Sequence, residues 1–121
     1  MDDVALYCKD DKIGVLISSD FGATWSVDQD KRLAYDKRVI DFWLEHKDDK
    51  EFMRDIDSFR ENPNKTYMEK VFSMYGYDDV YFGAFPDLEL VWVEKGKPFK
   101  IREYDGSEWI EFYNPDEWTT F

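Results

Sequence analysis

Cysteine and histidine, the residues of the commonest nucleophile–base pair, are scarce in this chain. It contains one cysteine, Cys8, and one histidine, His46. A nucleophile–base pair requires both groups at one cleft. Cys8 continues the alternating apolar pattern of Val4 and Leu6, which is typical of a small buried hydrophobe. His46 is expected near the C-terminal end of a helix, where the helix dipole favours an imidazolium. The sequence therefore predicts no catalytic residue of this kind.

The sequence also lacks the motifs that are typical of metal and cofactor sites. A zinc site needs several Cys or His ligands, and the chain has one of each. The acidic pairs Asp10-Asp11 and Asp78-Asp79 give a weak indication of calcium binding, because neither follows the EF-hand loop pattern. There is no G-x-x-x-x-G-K-[ST] and no G-x-G-x-x-G to hold nucleotide phosphate. We expect no metal site and no cofactor.

Carboxylates are the abundant functional group, with 28 acids against 16 bases and a formal charge of −12. The turn Asp105-Gly106 predicts a hairpin with a two-residue loop. That register places Glu103 opposite Glu108. Like charges opposed across strands are destabilising, so we interpret the pair as an acidic hot spot for Lys or Arg of a partner. A glycosidase-type acid pair and a solvated, screened hairpin tip are the alternatives.

The same register puts Trp109 opposite Arg102, on the side away from Ile101 and Ile110. This side is either a second packed face or an exposed Trp/Arg pair of the kind found in interface hot spots. Residues 76–121, which we name the acidic pole, carry 11 acids and 4 bases. The predicted partner-binding residues lie in this pole and are Glu103, Asp105, Glu108, Trp109, Glu111, Asp116 and Glu117.

The elements that position these residues follow from periodicity. Alternating apolar residues predict an N-terminal hairpin over 3–9 and 12–18, with Cys8 facing Ile13. A capping box at Ser26-x-x-Gln29 precedes apolar residues at helical spacing, which predicts a first helix. A second helix is expected after Asp48 and would end at Asn62-Pro63, with Phe52, Ile56 and Phe59 on its inner face.

A third helix, capped by Asn64, would end before Gly76. Strands then follow over 88–93, 99–104 and 107–113. The chain is expected to be a single α+β domain over 1–121. Its antiparallel sheet would combine the N-terminal hairpin with a C-terminal meander, and two or three helices would pack on one face.

Composition excludes several classes of protein. Aromatic residues make up 19% of the chain, which argues against intrinsic disorder. The negative charge opposes direct binding of nucleic acid. An acidic N-terminus and short apolar runs indicate neither a signal peptide nor a membrane span, so a cytoplasmic location is expected. Net charge opposes self-association, so a monomer is favoured over a dimer.

Three stretches resemble a family of small acidic proteins of phages and prophages. They are DFGATWS at 20–26, LVWVEKGKPF at 90–99 and EYDGSE at 103–108. The resemblance implies a mobile-element protein acting in a bacterial cytoplasm. In that setting, compact acidic proteins are often inhibitors of host nucleases or defence systems, as anti-CRISPR proteins are. The family carries no activity and no functional residues to transfer.

Together these observations predict a non-enzymatic binding protein. Its acidic pole would block a basic, nucleic-acid-handling protein surface such as that of a host defence nuclease. The same surface would serve an immunity protein against a toxin nuclease. Two other classes remain as alternatives, namely a small carboxylate- or metal-dependent enzyme and a structural or assembly protein.

Overall fold

A computed structural model describes residues 4–19, 25–27 and 29–112. Its strands are β1 (Cys8–Lys9), β2 (Lys12–Ser18), β3 (Leu88–Glu94), β4 (Phe99–Tyr104) and β5 (Ser107–Phe112). Its α-helices are α1 (Lys37–His46), α2 (Lys50–Ile56) and α3 (Pro63–Met74), and 3₁₀ turns cover Lys31–Ala34 and Phe85–Asp87. This confirms the predicted α+β class.

The strands form two antiparallel sheets, of order β1-β2-β3 and β4-β5. Cys8 pairs with Ile13, as predicted. The C-terminal strands do not form one meander, because β3 pairs with β2 and β4 pairs with β5. The described residues of the chain show no helix that is both long and apolar enough to cross a membrane.

Both faces of strand β2 are apolar, so each face requires a layer that covers it. Leu16 belongs to a core cluster formed with the three helices. Val15 and Ile17 face the other way and form a second cluster with Val93 and the hairpin β4–β5. The predicted helical layer therefore covers one face of the sheet, and the β4–β5 hairpin covers the other. Fully burying a residue of this size contributes about 1.5–3 kcal/mol.

The first helix begins later than its predicted cap. Ser26 is buried and does not cap α1, which begins at Lys37. The N-cap of α1 is Asp36, whose Oδ1 accepts a hydrogen bond from the Arg38 backbone N–H at 2.9 Å. An aspartate in extended conformation is a strong N-cap, so the short carboxylate at position 36 defines the start of α1.

The second and third helices are also shifted relative to the prediction. Asp49 rather than Asp48 caps α2 by accepting from Phe52 N–H. Asn62 rather than Asn64 caps α3, and Pro63 is the first helical residue, a position that proline favours. The second helix ends at Ile56, so Phe59 lies outside it and is fully exposed rather than in the core.

Candidate binding surfaces and two buried carboxylates

The register of the β4–β5 hairpin is as predicted, and it decides where each candidate residue points. Glu103 pairs with Glu108, and Arg102 pairs with Trp109. Side chains alternate along a strand. Glu103 and Glu108 therefore share the face of Ile101, which packs against the sheet. The opposed acids thus do not lie on the outer face of the hairpin.

Glu108 is buried, with 2% of its surface exposed. Its Oε1 accepts a hydrogen bond from Ser18 N–H at 2.8 Å, and its Oε2 accepts from Val27 N–H at 3.3 Å. Burial raises the pKa of Glu108, and hydrogen bonds from the backbone N–H groups of Ser18 and residues 25–27 oppose this rise without cancelling it. Glu108 therefore ties β5 to the end of β2 and to residues 25–27. Because Glu108 is buried, it is not accessible to a partner, and its prediction as a contact residue is wrong.

The other predicted contact residues of the hairpin have local roles or face solvent. Glu103 Oε2 accepts from Gly106 N–H at 2.7 Å and so fixes the turn. Asp105 is exposed at the tip, in left-handed conformation at φ 51°. The Glu111 carboxylate forms an ion pair with Arg102, with Oε2 2.6 Å from Nε. Asp116 and Glu117 lie outside the described residues.

The outer face of the hairpin presents exposed aromatic rings. Tyr104 is 71% exposed and Trp109 is 45% exposed. Lys100, Arg102 and Tyr104 are every second residue of β4 and therefore share this side. The face therefore has the Trp/Arg composition expected from the sequence, but its charge is mixed rather than acidic.

Residues 76–94, which we name the acidic segment, form a stretch in which every acid is exposed. It contains five acids and no base, and all five acids are exposed. Its aromatic residues Tyr81 and Trp92 are 56% and 39% exposed. This feature was not predicted, because the charge was averaged over the whole pole. The readable signal was a run of 24 residues, 71–94, without Lys or Arg. The five acids are Asp78, Asp79, Asp87, Glu89 and Glu94.

All four bases of the pole lie within the next eight residues. They are Lys95, Lys97, Lys100 and Arg102. In sequence, the acidic pole therefore divides into the acidic segment, a basic stretch over residues 95–102, and residues 103–121, which hold the other six acids. The acidic segment and the basic stretch carry opposite charges.

The acidic segment is anchored by buried rings and by hydrogen bonds. Tyr77, Phe82 and Phe85 lie in the helical core cluster. Tyr81 N–H donates to Gln29 Oε1 at 2.6 Å, and Gln29 Nε2 donates back to the Tyr81 carbonyl at 3.1 Å. These contacts hold the backbone while the carboxylates point to solvent.

The second buried carboxylate is Asp36, at the start of α1. It is completely buried. Oδ2 accepts from Arg38 Nη2 at 2.7 Å and from the Tyr77 hydroxyl at 2.7 Å. Burial acts to raise the pKa of Asp36, but hydrogen bonds from the Arg38 side chain, from Tyr77 and from the Arg38 backbone outweigh burial and lower it. Burial and the Asp36 hydrogen bond raise the pKa of Tyr77, so its hydroxyl stays protonated as a donor.

The two residues considered for nucleophilic chemistry occupy unexpected environments. Cys8 is exposed rather than buried, because β1 is only two residues long and lies at the edge of its sheet. The His46 ring stacks on Phe52 at 4.1 Å and lies 4.5 Å from Phe42. His46 ends α1, as predicted, and is a partly buried residue that packs against these rings.

Chemistry based on clustered ligands is not indicated by the part of the chain that the structure describes. Within 4–19, 25–27 and 29–112, no group of three or more His, Cys, Asp or Glu converges in a way that could hold a metal ion. The features that remain are surfaces: the outer face of the hairpin, the acidic segment and the basic stretch.

Comparison with known proteins adds no further constraint. No protein-family model matches the sequence, and no curated protein or solved structure is significantly similar to it. The resemblance to small acidic phage proteins stays a prediction. The chain's function is therefore argued from its own exposed groups.

Proposed function

We propose that this chain is a non-enzymatic binding protein whose acidic segment engages a basic surface of another protein. The observation that carries the proposal is the exposure of five carboxylates over residues 76–94 with no base among them. Exposed carboxylates of this kind complement clustered Lys and Arg. Such clusters are typical of proteins that handle nucleic acid.

The mechanism has two steps. The net charge of −12 attracts a cationic partner and raises the association rate, an effect that salt weakens. Exposed rings then anchor the complex, because aromatic residues dominate interface energies. Tyr81 and Trp92 in the acidic segment, and Trp109 on the hairpin, are the exposed rings that we assign to this step.

The consequence for the partner is competition with its nucleic acid. A carboxylate surface seated on phosphate-binding Lys and Arg blocks them. This chemistry serves an inhibitor of a host defence nuclease. An immunity protein against a toxin nuclease would use the same surface in the same way.

A charge-matched pair of variants tests the proposal. The first neutralises four acids of the acidic segment through Asp79→Asn, Asp87→Asn, Glu89→Gln and Glu94→Gln. The control neutralises four exposed acids of the helical layer through Glu45→Gln, Glu51→Gln, Glu61→Gln and Glu69→Gln. Both variants lose the same number of negative charges, so they differ only in where the charge is removed.

The measurement is capture of a partner from a lysate of the source organism at low and high salt, followed by titration of the purified partner. We expect the acidic-segment variant to weaken binding at least tenfold and the control to change it less than threefold. The captured protein should bind nucleic acid, and the wild-type chain should displace that nucleic acid. Equal losses in both variants, or a partner that tolerates high salt, would contradict the proposal.

A further inference from the structure

A cavity of about 320 Å³ lies between strand β4 and residues 26–35. Four consecutive residues of β4, 99–102, line one side. Consecutive strand residues point to opposite faces, so a cavity that all four line runs along the edge of the strand. Within the described residues, β4 pairs with a strand only through β5. The cavity volume is within the range typical of small-molecule sites.

The charges that line this cavity are opposite in sign to the whole chain. Lys31, Lys100 and Arg102 line it, and no described Asp or Glu does. Lys31 forms no ion pair with any carboxylate in the described ranges. Arg102 uses its Nε–H for Glu111, at 2.6 Å. A guanidinium has four further N–H donors, so Arg102 retains groups for an anion.

A buried hydroxyl group gives a second and independent indication of a ligand. Ser26 lines the cavity and has no exposed surface. Its Oγ has no hydrogen-bond partner among the described residues. Buried polar groups are nearly always hydrogen-bonded, and an exception in a folded protein requires a reason. A ligand oxygen that accepts from this hydroxyl would supply the missing partner.

The remaining walls are apolar or aromatic. Val27 and Tyr35 stand on one side, and Phe99 and Ile101 stand on the other. A small apolar body surrounded by a few polar groups is the usual arrangement in ligand sites. A ligand that fits both the apolar walls and the cations has an apolar body and a negatively charged group.

We propose that this cavity binds a small organic anion with a compact apolar or aromatic body and one carboxylate or phosphate group. The anionic group would lie against Lys31 and Arg102 and accept from Ser26, while the body would pack between Tyr35 and Phe99. This goes beyond the proposed function, because the ligand carries the opposite charge to the partner of the acidic segment. The two proposals also use different residues.

The test is titration of the ¹⁵N-labelled full chain, followed by NMR. The probes are benzoate and phenyl phosphate, and the neutral control is benzyl alcohol. We expect shifts confined to residues 26–35 and 99–102. At least one anion should bind about fivefold or more tightly than benzyl alcohol, which is the contribution of a partly exposed charge contact. The stronger of the two anions identifies the group as carboxylate or phosphate.

A pair of lysine variants provides the control for charge. Lys31→Gln should weaken binding of the preferred anion about threefold to fivefold. Lys50→Gln removes an exposed lysine at the start of α2 and should leave binding unchanged. Both variants should retain the wild-type amide spectrum outside the substituted position, because both lysines are exposed.

Several outcomes would overturn the proposal. One is binding of benzyl alcohol as tight as that of both anions. Others are shifts spread over the surface, or equal losses in the two lysine variants. A hexaglutamate peptide that shifts residues 99–102 when neither small anion does so would assign the edge to an extended peptide instead. None of these results would alter the outcome of the partner titration with the acidic-segment variants.

Discussion

Asp36 and Glu108 are two buried carboxylates with opposite electrostatic behaviour. Asp36 is completely buried and Glu108 is 2% exposed, so both have lost most of their water. Asp36 contacts a guanidinium and a phenol. Glu108 accepts hydrogen bonds from neutral backbone N–H groups. The pKa of Asp36 is lowered, and the pKa of Glu108 is raised.

The difference shows that burial alone does not set the protonation of a carboxylate. Loss of water disfavours the charged form at both positions. At Asp36 a cation and several donors outweigh that loss, whereas at Glu108 the backbone donors only reduce it. Asp36 also caps a helix, while Glu108 joins three separate segments. Removing each group should therefore break a different part of the molecule.

The largest effect is expected from Glu108→Ala. This change leaves the N–H groups of Ser18 and Val27 without their acceptor inside the protein. Each unsatisfied buried donor costs about 1–3 kcal/mol, so we expect a loss of about 2–5 kcal/mol. Urea unfolding measures the loss, with Glu111→Ala on the same hairpin as the control. Glu111 forms a partly exposed ion pair, and its removal should cost less than about 1 kcal/mol. Equal losses would contradict this prediction, because the buried contacts of Glu108 would then contribute no more than a partly exposed ion pair.

The second prediction concerns pH, and the two sites should respond in opposite directions. The folded-state pKa of Glu108 is raised from 4.5, so its stabilising contribution is complete below that value and declines as pH rises through the folded pKa. The folded-state pKa of Asp36 is lowered from 3.8, so its contribution is present above that value and is lost as pH falls through the folded pKa.

The measurement is the free energy of unfolding of wild type, Glu108→Gln and Asp36→Asn across pH. The advantage of wild type over Glu108→Gln should shrink as pH rises above 4.5. Its advantage over Asp36→Asn should shrink as pH falls below 3.8. Parallel pH profiles for the two variants would remove the distinction between the sites.

The smallest effect is expected from salt. The Arg38 side chain is 44% exposed, so its pair with Asp36 is partly screened by ions. Raising NaCl from about 0.05 M to about 1 M should reduce the cost of Asp36→Asn by a few tenths of a kcal/mol. The cost of Glu108→Gln should not change, since its donors are uncharged. Thermal unfolding at both salt concentrations checks this, and an equal response would indicate a general effect of ionic strength.

The sequence predicted the hairpin register well, because the Asp105-Gly106 turn and the apolar alternation agree. The same alternation gives Glu108 the parity of Ile110 and hence the inner face, but Glu108 was predicted as an accessible contact residue, which was wrong. It could not show that Ser18 and Val27 would supply donors, because both are more than 80 residues away in the chain. The set of donors around a buried carboxylate is a tertiary property.

The errors in the helical region have a local cause. Several Asp and Asn residues stand near each helix start, and any of them is a reasonable cap. Packing selects among them, so the observed caps are Asp36, Asp49 and Asn62. Cys8 was misplaced because alternation indicates which side of a strand a residue is on, but not whether anything covers that side. The acidic composition of the acidic segment could be read from the sequence. The exposure of its carboxylates could not, because it depends on the buried rings of Tyr77, Phe82 and Phe85 that anchor the backbone.

The central position of β2 has a consequence for synthesis of the chain. Strand pairing joins Lys12 to Glu94 and Ser18 to Leu88, with all three helices between them. A ribosome therefore releases the apolar strand β2 long before either its partner strand or the hairpin that covers its second face. Pairings this distant in sequence form slowly, because the closure of a long loop must come first. The nascent chain must hold an uncovered strand until translation has passed residue 112, and that interval is when it is most prone to aggregate.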